Sequence, residues 1–126
     1  VPREQTSRYG IVSPVAAGVH VSGIRAIVEK PNPADAPSTL AVMGRYVFTP
    51  AIFDRLEKVQ PGKGGEIQLT DAIATLLQGE TVEALRCAGL RYDCGSKLGY
   101  LQATVELGLK HPELGEAFAR YLRERI

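Results

Sequence analysis

The sequence of 126 residues contains no tryptophan, two histidines and only two cysteines. Cys87 and Cys94 are too few for a disulfide scaffold and lack C-x-x-C spacing, which favours free thiols and a cytoplasmic protein. His20 and His111 have no Cys or His partner at metal-binding spacing, so neither predicts a metal site. P-loop and G-x-G-x-x-G motifs are absent from the sequence, as is any sign of a Ser-His-Asp or Cys-His nucleophile.

The sequence also lacks an excess of charge of one sign and a long apolar run. Lys plus Arg number 15 and Asp plus Glu number 14, which gives a formal net charge of +1. This near-neutrality removes the main electrostatic reason to expect nucleic-acid or anionic-membrane binding. No run approaches the roughly 18 apolar residues of a membrane span, and residues 1–5 show no signal-peptide pattern. We therefore expect a globular protein with no nucleic-acid or membrane partner.

Apolar and β-branched residues in the first half predict three strands, at residues 8–12, 20–30 and 40–48. The third strand is almost entirely apolar, so we expect it to be buried on both faces. Pro31 ends the second strand and favours an extended conformation for Lys30. Three prolines within residues 31–37 predict a loop.

The second half predicts helices. Thr49 and Thr70 are candidate N-caps of two of them, and helices over residues 97–110 and 114–122 follow. Short strands are predicted at residues 81–87 and 90–94. Strands first and helices later favour an α/β or α+β fold. The first two strands have no helix before or between them to cover both faces, so we expect part of the fold to lie outside this chain.

Glu29 and Lys30 place an acid beside a base at the end of an apolar strand. A carboxylate can accept hydrogen bonds from neighbouring sugar hydroxyls, and an ammonium group can neutralise a phosphate. Adjacent strand residues normally face opposite sides, so both reach one ligand only if the strand twists or bulges there. The alternative interpretation is a solvated strand end.

Two further segments carry candidate residues. Gly64 and Gly65 precede a predicted helix start, where backbone N–H groups can hold an anion. Glu66 and Asp71 lie at that same end, which equally indicates a capped helix with favourable dipole placement. Asp93 follows a predicted strand and could bind Mg²⁺ with a second ligand from elsewhere, or hydrogen-bond its own backbone in a turn.

Taken in order, six segments resemble the C-terminal half of the bacterial UTP–glucose-1-phosphate uridylyltransferases, within the nucleoside-diphosphate-sugar pyrophosphorylases. They are YGIV (9–12), VEKP (28–31), APS (36–38), LAVMGRYV (40–47), GEIQLTDAI (65–73) and YDCGSKLGY (92–100). EIQLTD and DCGSKLGY are the most specific of these motifs, whereas EKP is shared with other pyrophosphorylases of the family.

The resemblance implies an α/β fold, the C-terminal part of a Rossmann-like mixed sheet with flanking helices. Residues 1–126 would be the sugar-phosphate-binding portion of a nucleotidyltransferase domain whose nucleotide-binding half is absent. The helices in residues 97–126 would offer a dimer contact, and the intact protein would be a homo-oligomer, either a dimer or a tetramer.

The resemblance also implies a reaction and the residues that serve it. UTP and glucose 1-phosphate would give UDP-glucose and pyrophosphate, with Mg²⁺ assisting. Lys30, on the sugar phosphate, and Asp93, on the metal, would be the catalytic residues. The remaining substrate contacts would come from Gly10, Glu29, Val42, Gly44, Tyr46 and Glu66, while Asp71 would be structural.

Because the nucleotide loop and the other metal-binding aspartate of the family are absent, we expect this chain alone to be inactive. Two alternatives stay open. One is a glucose-1-phosphate thymidylyltransferase-like enzyme, since nucleotide choice is made in the absent half. The other is a non-catalytic sugar-binding or oligomerisation module, in which the apolar stripe of the last helix associates subunits instead of packing on its own sheet.

Overall fold

The computed structural model describes residues 1–125, with the exception of the Lys63 side chain. The chain divides into two compact units, Val1–Cys87 and Ala88–Ile126. The first unit contains every described strand, and the second contains the last two helices. Among the described residues, no helix combines the length and the apolar character needed to cross a membrane.

A three-stranded antiparallel sheet forms the centre of the first unit, in the order β1-β2-β3. The strands are β1 (Gly10–Pro14), β2 (Val21–Glu29) and β3 (Glu83–Leu85). Gly10 pairs with Glu29 across the β1–β2 ladder, and the register shifts between Ser13 and Pro14. The β-branched residues of β2 suit a pleated, half-buried surface, which is why this strand was predictable.

Two helices pack beside this sheet. They are α1 (Ala51–Leu56) and α2 (Leu69–Leu76), and α2 contacts both α1 and β2. A single apolar cluster holds them together, made of Val12, Ile24, Ile27, Ile52, Ala72, Ile73 and Leu76. Burial of each valine, isoleucine or leucine side chain contributes roughly 1.5–3 kcal/mol, so this cluster holds α2 against β2.

The α/β class is therefore confirmed, but the predicted third strand is wrong over most of its length. Ala41 forms an isolated bridge with Ile11, and two backbone hydrogen bonds join residues 40–42 to β1. Beyond that point the chain leaves the extended conformation at Gly44, which has a φ of 69°. Val47 is fully exposed, so the apolar run is not buried on both faces.

The second unit consists of α3 (Lys97–Leu109) and α4 (Gly115–Arg123), which contact each other. The ring of Phe118 lies where a Cβ on Gly108 would meet it at 2.8 Å, so the glycine allows this close approach. The strand predicted at residues 90–94 is not formed. Leu98, Leu101, Leu114 and Tyr121 are exposed, and a subunit contact through these helices stays a prediction.

Candidate functional site

The end of β2 brings Glu29 and Lys30 to the same place. Lys30 has a φ of 45°, a left-handed conformation that non-glycine residues seldom adopt, so the extended conformation expected before Pro31 is wrong. This bend interrupts the rule that side chains of adjacent strand residues face opposite sides of the sheet. The Lys30 Nζ atom lies 3.5 Å from the Glu29 Oε1 atom, with the Lys30 side chain 45% exposed and that of Glu29 15%. The geometric condition for both residues to reach one ligand is met.

Gly10 gives the Glu29 carboxylate its space. The two residues face each other across the β1–β2 ladder. A Cβ at residue 10 would stand 2.9 Å from the Thr70 Cγ2 atom, closer than real Cβ contacts come, and 3.3 Å from Glu29 Oε2, which is a tight contact. Any larger residue would therefore push the acid and the threonine apart.

Thr70 binds Glu29 from the helix side. Its hydroxyl donates a hydrogen bond of 3.1 Å to Glu29 Oε2, and the residue is only 5% exposed. The prediction that Thr70 is the N-cap of its helix is wrong, because Gln68 occupies that position and α2 begins at Leu69. We call Gly10, Glu29, Lys30 and Thr70 the Glu29 cluster. Its two carboxylate oxygens have different partners, Thr70 on one and Lys30 on the other.

Thr49, the other predicted cap, also has a different role. The N-cap of α1 is Pro50, and the Thr49 hydroxyl donates to the Glu80 carboxylate at 3.1 Å. Sequence reasoning missed both threonine contacts because their partners lie 31 and 41 residues away.

The segment after residue 40 brings two more predicted residues toward this cluster. Val42 donates its backbone N–H to the Gly10 carbonyl at 2.9 Å, and its Cγ2 atom lies 3.5 Å from the Cβ position of Gly10. Tyr46 stacks on Phe48 with ring centroids 5.3 Å apart. Burial, and then the negative charge of Glu29, raise the pKa of the Tyr46 hydroxyl above its ordinary value. Val42 contacts the cluster directly, and the negative charge of Glu29 acts on the Tyr46 hydroxyl electrostatically.

Two other predicted sugar-site residues lie in more open surroundings. A Cβ on Gly44 would meet no atom within 4 Å. Glu66 is exposed in the loop before α2, where its backbone carbonyl accepts the N–H of Gly62 at 2.9 Å. Their roles in substrate binding stay predictions.

Asp93 stands in a hydrogen-bonded turn that starts α3 in the second unit. Its Oδ1 atom accepts the Gly95 N–H at 3.2 Å, and its carbonyl accepts the Ser96 N–H and hydroxyl at 3.1 and 3.0 Å. Ser96 is the N-cap of α3 and accepts the N–H of Gly99 at 3.0 Å. We call residues 93–99 the Asp93 turn, and the local interpretation of Asp93 as a turn residue is confirmed.

The same carboxylate suits a hard cation as a single ligand. A carboxylate offers about four lone-pair sites, and its hard oxygen atoms are of the ligand type that Mg²⁺ takes. Over residues 1–125, no group of three or more His, Cys, Asp or Glu side chains is placed to hold a metal ion. Asp93 therefore fits Mg²⁺ only together with ligands from outside this set of residues.

Two cavities formed by described residues have walls that the Glu29 cluster does not line. One, of about 110 Å³, includes Arg55 and Thr75 in its wall, and the other, of about 470 Å³, includes Tyr92 and Leu101. The members of the Glu29 cluster are instead joined by polar contacts, and the Lys30 side chain, 45% exposed, brings the acid–base pair to the solvent.

A family profile described as Nucleotidyl transferase matches residues 1–108. The chain belongs to the nucleotidyl transferase family. The match takes in the whole Glu29 cluster and the Asp93 turn, and it ends before α4.

Individual relatives agree with this family assignment. The chain is 49% identical to a UTP–glucose-1-phosphate uridylyltransferase of Haemophilus influenzae, an alignment that covers 98% of this chain and 43% of that protein. It is 45% identical to the UTP-bound UGPase of Acinetobacter baumannii, with a TM-score of 0.83. That match covers 98% of this chain and 42% of the UGPase chain. The structure of a UDP-glucose pyrophosphorylase complexed with UDP-glucose is 44% identical in sequence, with a TM-score of 0.82. The match covers 88% of this chain and 42% of that one.

The predicted relationship to the uridylyltransferases is thus confirmed for this nucleotidyl transferase chain. It spans less than half of the length of the relatives that it matches. The family assignment therefore applies to the chain, whereas the roles of single site residues are predictions.

Proposed function

We propose that this chain supplies the sugar-phosphate-binding part of an enzyme that makes UDP-glucose and pyrophosphate from UTP and glucose 1-phosphate. The observation that carries the proposal is the acid–base pair at the end of β2, where Glu29 and Lys30 lie 3.5 Å apart on one side of a bent strand. The names of the relatives support the choice of substrates, since they include a uridylyltransferase and proteins bound to UTP and to UDP-glucose.

Glu29 suits the hydroxyl groups of a hexose. An ionised carboxylate only accepts hydrogen bonds, and it can bind two adjacent hydroxyls at once. Thr70 already occupies one side of Oε2, which leaves the Oε1 side, next to Lys30, for a ligand. Val42 and the Gly10 backbone would form the neighbouring wall.

Lys30 suits the phosphate of the same ligand. Its ammonium group has three donors, and its side chain is half exposed beside the carboxylate. A hexose phosphate carries hydroxyls and a phosphate on adjoining carbon atoms, so adjacent acceptor and donor groups match it. The unusual φ of Lys30 supports a binding role, because backbone strain of about 1–3 kcal/mol is typically found at functional sites.

In the proposed reaction, a phosphate oxygen of glucose 1-phosphate attacks the α-phosphorus of UTP. The bond from that phosphorus to the β-phosphate oxygen breaks, and pyrophosphate leaves with the electron pair. Such a transfer depends on in-line positioning and charge neutralisation more than on covalent help from the protein. Glu29 would fix the sugar, and Lys30 would orient the attacking phosphate and offset its charge.

Asp93 would be the contribution of this chain to a Mg²⁺ site. When bound, Mg²⁺ supplies positive charge to the phosphate oxygens. The family resemblance assigns a further aspartate and the nucleotide loop to a part of the enzyme that these residues do not include. We therefore propose that the 126-residue chain does not turn over the two substrates by itself.

The proposal is tested in the full-length protein that carries this chain, by coupled assay of pyrophosphate release. Glu29→Gln should raise the KM for glucose 1-phosphate about 10- to 100-fold, the equivalent of one hydrogen bond to a charged group. Lys30→Ala should lower kcat/KM about 100-fold through lost charge stabilisation. Glu57→Gln and Lys58→Ala form the matched control, since they change another adjacent acid–base pair on an exposed surface.

Unchanged kinetics in both Glu29→Gln and Lys30→Ala would reduce the pair to a solvated strand end. Turnover with dTTP in place of UTP would favour the thymidylyltransferase alternative. No turnover by the full-length protein with either nucleotide, together with a stable oligomer, would favour a non-catalytic module. Turnover by the purified 126-residue chain would contradict the proposal that it is inactive alone.

A further inference from the structure

We propose that Thr70 is a positioning residue for the sugar site, which fixes the Glu29 carboxylate through a hydrogen bond and so sets the affinity for glucose 1-phosphate. This inference rests on the proposed function, because it takes Glu29 as the ligand of the sugar hydroxyls. Thr70 itself is nearly buried and is not placed on the substrate.

The first observation is the contact itself. Thr70 Oγ1 donates to Glu29 Oε2 at 3.1 Å, across 41 residues of sequence. The other carboxylate oxygen, Oε1, faces the Lys30 ammonium. A glutamate side chain has three rotatable torsions, and a partner on one oxygen removes much of that freedom before the ligand arrives.

The second observation is a contrast within one helix. Thr75, also on α2, donates its hydroxyl to the carbonyls of Asp71 and Ala72 at 3.2 and 2.8 Å, the usual behaviour of a helical threonine. Thr70 instead donates its hydroxyl to an acid on the neighbouring strand. Thr70 lies in the first turn of α2, where no helical carbonyl stands three or four residues before it, so its hydroxyl is available to the neighbouring strand.

The third observation is the space left for this contact. A Cβ at residue 10 would stand 2.9 Å from Thr70 Cγ2 and 3.3 Å from Glu29 Oε2. The threonine methyl thus packs against the face that Gly10 leaves open, and the β-branched side chain has few rotamers to choose from. Packing therefore fixes the direction of the Thr70 hydroxyl, and the hydrogen bond from this hydroxyl fixes the orientation of the Glu29 carboxylate.

The test compares three substitutions in the full-length protein by steady-state kinetics. Thr70→Val removes the hydroxyl but keeps the shape, and should raise the KM for glucose 1-phosphate about 10-fold while leaving the KM for UTP unchanged. Thr70→Ser keeps the hydroxyl and should restore most of the affinity. Thr75→Val, which removes the other hydroxyl of α2, is the control and should leave both KM values unchanged.

A double-mutant cycle separates positioning from a purely structural role. If Thr70 acts through Glu29, Thr70→Val should have no further effect on the KM for glucose 1-phosphate in the Glu29→Gln background. An equal increase in both backgrounds, or a lower melting temperature with an unchanged KM, would overturn the inference. If Thr70→Val does not fold, Thr70→Ala enters the same cycle.

The outcomes for Thr70 and for the proposed function are distinguishable. Glu29→Gln with unchanged kinetics contradicts the proposed function. A large effect of Glu29→Gln together with no effect of Thr70→Val leaves the proposed function intact and overturns only the role of Thr70.

Discussion

The Glu29 cluster and the Asp93 turn differ in how they are held. The Glu29 cluster draws its members from β1, the end of β2 and α2, and its key hydrogen bond spans 41 residues. The Asp93 turn is closed by hydrogen bonds that span two or three residues each. One arrangement depends on tertiary packing, and the other on the local sequence.

This difference predicts how each region responds to substitution. The Glu29 cluster exists only while α2 is packed on β2 through the apolar residues beneath it, among them Ile27 and Ile73. The hydrogen bonds described for the Asp93 turn join near neighbours in the chain, and the Ser96 hydroxyl makes two of them. A substitution in the Glu29 cluster should therefore lower the free energy of unfolding more, and affect residues farther along the chain, than a substitution in the Asp93 turn.

The largest effect is expected for Gly10→Ala. The new methyl group would meet Thr70 Cγ2 at 2.9 Å and Glu29 Oε2 at 3.3 Å, so α2 or the carboxylate must shift. We expect the free energy of unfolding to fall by about 1–3 kcal/mol, as in other overpacked sites. Chemical denaturation of the full-length protein measures it.

Gly23→Ala is the matched control for Gly10→Ala, because it adds the same methyl group to the same sheet. Its Cβ would stand 3.6 Å from the Val15 Cγ2 atom, an ordinary contact. Alanine in place of glycine within a strand is otherwise favourable by roughly 0.5–1 kcal/mol. Equal responses of the two variants would show that the Glu29 cluster is not tightly packed.

Features with a local cause could be predicted from the sequence. The β-branched pattern of residues 20–30 predicts β2, and the apolar spacing after residue 96 predicts α3. Asp93 before Gly95 predicts a turn, which the structure contains. The acid–base pair at residues 29 and 30 also identified a strand end, because the residue types and the following proline are adjacent in the chain.

Features with a distant cause could not be predicted in this way. An apolar run such as residues 40–48 predicts a strand, but a strand needs a partner, and only residues 40–42 pair with β1. Thr70 has the residue type of an N-cap, and tertiary packing directs its hydroxyl to Glu29 instead. The bend at Lys30 likewise contradicts the local preference before proline, and such conflicts are typical of functional sites.

Ser96→Ala tests the Asp93 turn, the region that is held by local contacts. The substitution removes the side-chain oxygen that accepts the Gly99 N–H at the start of α3. Loss of an N-cap costs about 1 kcal/mol, and we expect faster hydrogen exchange of the Gly99 amide with little change in the first unit. Thr104→Ala is the control within the same helix, since the Thr104 hydroxyl donates to the Tyr100 carbonyl in the middle of α3. Equal changes at Gly99 in both variants would argue against a capping role.

The smallest expected effect concerns the ionisation of Tyr46, which tests whether the charge of Glu29 acts beyond its own strand. Burial and then the Glu29 charge raise the pKa of Tyr46, so the folded protein keeps this proton at a pH where the unfolded chain, with a pKa of about 10, has lost it. The folded state then binds more protons, and stability should fall as the pH rises above about 10.

Glu29→Gln should lower the Tyr46 pKa but leave it raised, because burial remains, and the loss of stability at high pH should become smaller. Ultraviolet titration of tyrosinate, corrected with a Tyr46→Phe variant, measures the shift, and Glu57→Gln is the control on an exposed acid. An unchanged Tyr46 titration in Glu29→Gln would mean that the carboxylate does not act on the segment after residue 40. The electrostatic effect of Glu29 would then not extend beyond the Glu29 cluster, and Tyr46 would have no link to the proposed sugar site.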